Sequence, residues 1–176
     1  MKDRREEGFI LLDLLVSFPL VTLLLTALAG LSFFAARSAF MLYADMELKQ
    51  EVQGAFIRIV SDASSAYSIR PFSLGHEHGV AFRKRSPALQ DSASIEGAAY
   101  FVHEAQRKRR LVYQDERQPI TGDSQFAGVA ITEFSWREIS PLLQEFRLTG
   151  KSLVTGHSYS LATRVYGLRQ EGGATP

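Results

Sequence analysis

MKDRREEGFILLDLLVSFPLVTLLLTALAGLSFFAA, residues 1–36, is the stretch that decides the fold. A short charged leader, residues 1–8, ends at Gly8, and a long apolar run then begins at Phe9. About 20 apolar residues suffice for a helix to cross a bilayer, and residues 9–36 supply more. The stretch therefore predicts a hydrophobic helix that spans a membrane.

One acid, Asp13, interrupts the apolar run. A carboxylate at the bilayer centre costs about 2.5–3.5 kcal/mol, so we expect it to have a function and a partner. Cleavage between Gly8 and Phe9 would create an α-amino group four residues before Asp13, about 6 Å along a helix axis. Between two subunits offset by a turn, the acid of one chain would meet the amine of its neighbour. The spacing thus predicts a way of stacking subunits in register.

At the junction of leader and apolar run the sequence reads Gly8-Phe9-Ile10-Leu11-Leu12-Asp13-Leu14-Leu15-Val16. This segment resembles the type IV prepilin processing signal, in which an acid, usually glutamate, occupies the fifth mature position. The resemblance implies that a prepilin peptidase cuts after Gly8 and methylates the amine of Phe9. It also implies assembly through Asp13 and through an apolar surface formed by Leu11, Leu12, Leu14, Leu15, Val16 and Phe18.

Two simpler interpretations of this stretch remain open. An ordinary signal peptide would be cut after Ala27-Leu28-Ala29 and would leave an exported soluble protein that begins at Gly30. The run from Phe9 to Thr26 exceeds the usual h-region of about 7 to 15 residues and contains an acid, which disfavours that interpretation. A plain transmembrane anchor explains the length of the run but leaves Asp13 without a role.

The rest of the chain predicts an α+β fold. Apolar residues spaced three and four apart extend the helix as an amphipathic second half over residues 37–70, with Ser64, Ser65 and Pro71 as signals of its end. The opposite face is expected to carry Asp45, Glu47, Lys49, Gln50, Glu51, Gln53, Arg58 and Asp62. Pro19 is expected to bend or loosen the helix. From Phe72 the period changes to two, and residues 71–176 are expected to form an antiparallel sheet packed on the helix stripe. Turn signals between its strands include Gly150-Lys151 and Gly156. This layout resembles the pilin fold.

Composition limits the possible functions. The 176 residues and 45% hydrophobic content fit one globular domain and a long helix, and the net charge of +1 argues against a protein built mainly to bind nucleic acid. Cysteine is absent, which excludes disulfides, thiolate metal sites and cysteine nucleophiles. His76-Glu77-His78 offers two metal-ligating imidazoles without a third ligand nearby, and His103 and His157 lack an obvious acid partner. We therefore predict no enzyme, no metal site and no cofactor.

Two patterns in the C-terminal half of the sequence make the resemblance to pilins more specific. Its patterns are Ile131-Thr132-Glu133-Phe134-Ser135-Trp136 and Leu161-Ala162-Thr163-Arg164-Val165-Tyr166-Gly167-Leu168-Arg169. They resemble minor pilins of the PilW kind and the J-type pseudopilin of type II secretion. The resemblance implies a single-pass protein of the cytoplasmic membrane with its sheet domain outside the cytoplasm. Implied partners are other major and minor pilins, a prepilin peptidase, an inner-membrane assembly platform and the lipid bilayer.

Two basic runs suggest a different function. They are Arg83-Lys84-Arg85 and Arg107-Lys108-Arg109-Arg110, with Tyr100, Phe101 and Tyr113 nearby in sequence. Such runs can contact DNA phosphates while aromatic rings stack on bases, as in a DNA-binding tip subunit of a competence pilus. The alternative is a solvated hairpin tip or strand edge, where Lys and Arg discourage aggregation, and the nearly neutral chain favours it.

Overall fold

The computed structural model describes residues 4–74, 77–85, 95–105, 108–113, 119–122, 124, 126–140 and 142–166, and side chains from Asp13 onward except at some strand ends. One long helix, α1 (Arg4–Ser65), precedes seven strands. These are β1 (Ser68–Leu74), β2 (Glu77–Arg85), β3 (Ile95–Ala105), β4 (Lys108–Tyr113), β5 (Val129–Ser140), β6 (Leu143–Ser152) and β7 (Ser158–Tyr166). The chain divides into two compact units, Met1–Leu42 and Tyr43–Pro176.

The first unit contains the apolar part of α1. Every side chain described between residues 13 and 36 is exposed, and the helix is long and apolar enough to cross a membrane. The helix continues without interruption through Pro19, and the Thr22 hydroxyl donates a hydrogen bond of 2.8 Å to the Pro19 carbonyl. The predicted long hydrophobic helix is confirmed.

The second unit combines the remainder of α1 with two antiparallel sheets, ordered β1-β2-β3-β4 and β5-β6-β7. The α+β class is confirmed, although the predicted single sheet is two sheets. The sheets share one core, because Phe82 of β2 and Phe146 of β6 pack with ring centroids 5.9 Å apart. The helix contributes a buried stripe to this core that consists of Ala44, Leu48, Val52, Ala55, Phe56, Ile59 and Ala63.

The helix ends earlier than residue 70, at Ser65, and β1 begins three residues later. β1 includes Pro71, opposite Val80 of β2. A proline has no N–H to donate, so it is tolerated in β1 because this strand lies at the edge of its sheet. Of the three predicted end signals, Ser64 and Ser65 therefore mark the end of the helix, whereas Pro71 lies inside a strand, and the predicted bound at residue 70 is wrong.

Gly150-Lys151 was expected to form a turn, and this prediction is wrong. Both residues lie inside β6, and the chain turns at residues 153–157, which confirms the other turn predicted here, at Gly156, whose φ is +76°. Gly150 is buried against α1, and a Cβ atom at this position would overlap Cγ2 of Val52. The glycine is needed because helix and sheet approach closely here.

Candidate functional site

The predicted processing and assembly residues lie at the start of α1. Gly8 and Phe9 belong to the helix, but the side chain of Phe9, like those of Leu11 and Leu12, lies outside the described part. The other predicted assembly residues have exposed side chains: Asp13, Leu14, Leu15, Val16 and Phe18. The structure therefore presents an apolar helical surface with one acid in it.

Phe9 and Asp13 lie four residues apart in the uninterrupted helix, which is the spacing of side chains on one face. The Ser17 hydroxyl donates a hydrogen bond of 2.5 Å to the backbone carbonyl of Asp13. The side-chain carboxylate of Asp13 takes no part in this bond, since the acceptor is the main-chain oxygen. Cleavage after Gly8 and pairing between subunits stay predictions.

Carboxylates further along α1 hold the segment that connects β4 to β5. Oε2 of Glu47 accepts hydrogen bonds from the backbone N–H groups of Phe126, at 2.8 Å, and Ala127, at 2.7 Å. Oε2 of Glu51 accepts one from the N–H of Gly122 at 3.0 Å. A charged acceptor on a backbone N–H makes a comparatively strong hydrogen bond. These two acids, one helical turn apart, therefore fasten an irregular segment to the helix.

A third acid, Asp45, holds the turn between β6 and β7. Its Oδ1 accepts a hydrogen bond of 2.8 Å from the Thr155 hydroxyl, and its Oδ2 lies 2.9 Å from Nδ1 of His157. The hydrogen bond with His157 and, to a smaller extent, that with Thr155 hold the pKa of the Asp45 carboxyl below its ordinary value. The prediction that His157 lacks an acid partner is wrong, because the partner comes from a distant part of the chain.

The fourth helix acid contacts the four-stranded sheet. The hydroxyl of Tyr100 in β3 donates a hydrogen bond of 2.6 Å to Oδ2 of Asp62. Tyr100 is fully buried, so the acid satisfies a polar group whose ring belongs to the core. The sequence had assigned all four acids to the face opposite the stripe. The sequence signal that could have predicted these contacts is that the acids lie next to residues of the buried stripe, as in Glu47-Leu48 and Glu51-Val52.

Metal-ligating residue types do not cluster in the part of the chain that the structure describes. Within it, no group of three or more His, Asp or Glu residues could hold a metal ion. His76 lies outside the described residues, and the side chain of Glu77 at the start of β2 is not described. His78 is exposed on β2.

The two basic runs lie at opposite ends of β3. Arg85 pairs with Ile95 at the start of this strand, whereas Lys108 pairs with Ala105 at its end. The nearest members of the two runs are Arg83, opposite Gly97, and Arg110, opposite His103, so the runs are separated by about 20 Å along β3. Arg107 lies outside the described residues, as do the side chains of Lys84, Arg85 and Lys108. The structure does not bring the two runs together.

The described arginines of these runs differ in their surroundings. Arg83 is exposed on β2. Nη1 of Arg109 donates a hydrogen bond of 3.0 Å to the carbonyl of Thr132 in β5. The stem of Arg110 is half-buried beside Gly122, where an added Cβ would lie 2.9 Å from its Cγ. Arg109 and Arg110 therefore contact other parts of the fold.

No protein-family model matches the chain, and neither a curated protein nor a solved structure is significantly similar to it. The long apolar N-terminal helix joined to antiparallel sheets is compatible with a pilin-like fold and with a membrane anchor.

Proposed function

We propose that this protein is a minor pilin or pseudopilin of a type IV pilus, a competence pseudopilus or a type II secretion pseudopilus. One observation supports this proposal above all. Phe9 and Asp13 lie one turn apart at the start of a helix of 62 residues, and the apolar part of this helix is exposed. The chain is processed after Gly8 and assembles through this helix. The protein has a structural role and is not an enzyme.

The charge distribution along α1 supports a membrane-inserted precursor. Residues 14–36 contain no charged side chain, and Arg37 is the first charged residue after Asp13. As a helix, these 23 residues extend about 34 Å, close to the thickness of about 30 Å of a bilayer's hydrocarbon core. The leader stays on the cytoplasmic side, and the sheets lie outside the cytoplasm.

Pairing of the new terminal amine with Asp13 gives assembly its specificity. An acid in an apolar helix interface is costly unless an opposite charge neutralises it. The amine of Phe9 in a neighbouring subunit supplies that charge, so a register that leaves Asp13 unpaired is disfavoured. The partners are other pilins, together with the prepilin peptidase and the assembly platform that extract the subunit from the bilayer.

The proposal is tested by the intact mass of the protein isolated from cells that produce it. We expect a chain that begins at Phe9 and carries one added methyl group. A Gly8→Val variant should retain its leader, whereas Gly30→Val, changed at the residue after the alternative signal-peptide site, should be processed normally. A mature chain that begins at Gly30 refutes the proposal in favour of an exported soluble protein. An unprocessed chain refutes it in favour of a plain membrane anchor.

A further inference from the structure

Three apolar side chains are exposed in two connecting segments that contact each other. Phe126, between β4 and β5, is 48% exposed, and Leu153 and Val154, in the turn between β6 and β7, are 55% and 44% exposed. The two segments are joined at the carbonyl of Ala127, which accepts hydrogen bonds from the N–H of Leu153 at 3.0 Å and from the Ser152 hydroxyl at 2.9 Å. We call Phe126, Leu153 and Val154 the apolar tip.

The apolar tip is held by the first residues of α1 in the second unit. This unit starts at Tyr43, and Asp45 and Glu47, which hold the two connecting segments, come shortly after it. In the sequence, Asp45 follows Ala36, the last residue of the uncharged apolar run, by nine positions. Tyr43 is 63% exposed, and tyrosine is enriched where a helix passes from lipid into water. The tip therefore lies at the end of this unit that continues into the apolar helical segment.

The backbone of the turn between β6 and β7 suits surroundings of low polarity. Each N–H group of residues 153–157 donates to an acceptor within the protein at a distance between 3.0 and 3.3 Å. Ser152 supplies the acceptor for three of them, through its hydroxyl and its carbonyl. Water could satisfy the N–H groups of an exposed turn, but lipid could not, so a segment in contact with lipid must satisfy them internally. Glu47 meets the same requirement at Phe126 and Ala127.

We propose that the apolar tip inserts into the interfacial layer of the bilayer that holds the chain's own apolar helix. This inference rests on the membrane insertion contained in the proposed function, and it identifies a second point of contact with lipid. Binding at a membrane interface increases with the apolar area that is buried and with the attraction between basic residues and headgroups. The three side chains of the tip supply the apolar area, and Lys151, exposed beside the turn, supplies a cation.

Lipid suits the apolar tip better than a second protein does, because the chain itself keeps the tip close to the bilayer. A second copy would have to be met by diffusion, whereas lipid is present at a high effective concentration beside the inserted helix. The contact holds the second unit at the outer surface of the bilayer until the subunit is extracted for assembly.

Fluorescence quenching tests the insertion, because the natural chain contains no cysteine and one can be placed in the apolar tip. Full-length Leu153→Cys, labelled with an environment-sensitive fluorophore, is reconstituted into vesicles of phosphatidylcholine and phosphatidylglycerol. We expect lipids that are spin-labelled near the headgroup to quench this probe strongly, since interfacial side chains lie about 5–10 Å deep. Iodide, present on both sides of the membrane, should quench it weakly.

Leu142→Cys is the matched control. Leu142 is also an exposed leucine, at 41%, and it precedes β6, whereas Leu153 follows this strand. β6 has 10 residues, so the two probes lie about 30 Å apart along it. We expect iodide alone to quench the probe at position 142. Equal quenching by lipid at both positions, or quenching by iodide alone at both, overturns the proposal.

Dilution of the protein in lipid identifies what covers the apolar tip. Contact with lipid does not depend on the protein-to-lipid ratio, so quenching by spin-labelled lipid should stay constant over a dilution of about tenfold. If a second copy covers the tip instead, quenching by lipid should rise on dilution, and unlabelled Leu153→Cys chains should form cross-linked dimers at a high protein-to-lipid ratio. That result overturns the proposal.

A charge placed in the apolar tip provides a second test. Val154 is exposed, so Val154→Glu should leave the thermal unfolding midpoint in detergent unchanged. In vesicles, the probe at Leu153→Cys should lose its quenching by lipid in this background, since the tip would carry an acid into the interface. Ile139→Glu, at an exposed position near the opposite end of β5, should retain the quenching. Unchanged quenching by lipid in the Val154→Glu background overturns the proposal.

Alkaline extraction of the vesicles separates this proposal from the proposed function. A chain that stays in the membrane while its probe at position 153 is quenched by iodide alone overturns the insertion of the apolar tip and leaves the proposed function standing. A chain that alkali extracts from the vesicles refutes both.

Discussion

Asp45 of α1 and His157, which precedes β7, lie 2.9 Å apart between Oδ2 and Nδ1. The pKa of the Asp45 carboxyl lies below its ordinary value of 3.8, chiefly because of the hydrogen bond from His157. The folded state thus favours the ionised acid, which stabilises the fold above pH 3.8, and this contribution is lost as the pH falls through the lowered pKa.

We therefore expect Asp45→Asn to lower the thermal unfolding midpoint most at neutral pH, and to approach the parent chain in acid. The measurement is the unfolding midpoint of the full chain in detergent between about pH 2 and 7. Glu138→Gln, which alters an exposed acid of β5, is the control and should leave the midpoint unchanged. An equal loss of stability for Asp45→Asn at every pH would contradict the linkage.

Glu47 should stabilise the fold more than Asp45 does, because one of its oxygens accepts hydrogen bonds from two backbone N–H groups. Glu47→Ala leaves the amides of Phe126 and Ala127 without this acceptor, which we expect to cost about 1–3 kcal/mol of unfolding free energy. Denaturant unfolding measures that cost, and Lys49→Ala is the matched control two positions along the helix. A loss below that of the control would show that water replaces the carboxylate without penalty.

The contrast between these acids and the apolar stripe explains what the sequence could predict. The stripe through Leu48 and Val52 follows a local period, so its burial could be predicted without knowledge of the sheet. The contact of Asp45 with His157 joins residues 112 positions apart, and no local pattern encodes that distance. Gly150 shows the same limit, because a turn signal read locally proved to be a requirement for close packing on α1.

Gly150→Ala should destabilise the protein, because its methyl group would overlap Val52 in a packed core. We expect a loss of about 1–3 kcal/mol in the free energy of unfolding, as for other overpacked sites. Gly54→Ala, at an exposed helical position with open space, should instead stabilise the monomer by up to about 1 kcal/mol.

A double-mutant cycle with Val52→Ala identifies the cause of the Gly150→Ala effect. If the clash is responsible, Gly150→Ala should cost less in the Val52→Ala background than in the parent chain. Equal costs in both backgrounds would mean that the destabilisation arises elsewhere in the strand.

Asp13→Ala should leave the precursor in the membrane but reduce its assembly, because the terminal amine of a neighbouring subunit would lose its partner. If an uncompensated charge in the interface costs about 2.5–3.5 kcal/mol, assembled subunit should fall by about 100-fold. Asp13→Glu, which restores the acid that is usual in the resembling family, should assemble at least as well as the parent chain. Ser17→Ala is the control, since its hydroxyl contacts only the backbone of Asp13 among the bonds described.

The assay compares assembled with membrane-bound subunit at equal expression, together with the mass of the N-terminus. Asp13→Ala chains that begin at a methylated Phe9 and assemble normally would disprove the pairing mechanism. They would leave the apolar contacts of the helix as the basis of assembly.

Reversing the charge of Arg109 should affect the fold more than any contact with DNA. Arg109 donates to the carbonyl of Thr132, and the two basic runs lie at opposite ends of β3, so neither run extends the other's patch. We expect Arg109→Glu to lower the unfolding midpoint, while Arg83→Glu, at an exposed position, leaves it unchanged. DNA affinity, measured against salt concentration, should be equally weak for both variants and the parent chain. If the parent chain binds DNA with a steep salt dependence that either variant reduces, phosphate contacts are real and the DNA-binding tip subunit becomes the better interpretation.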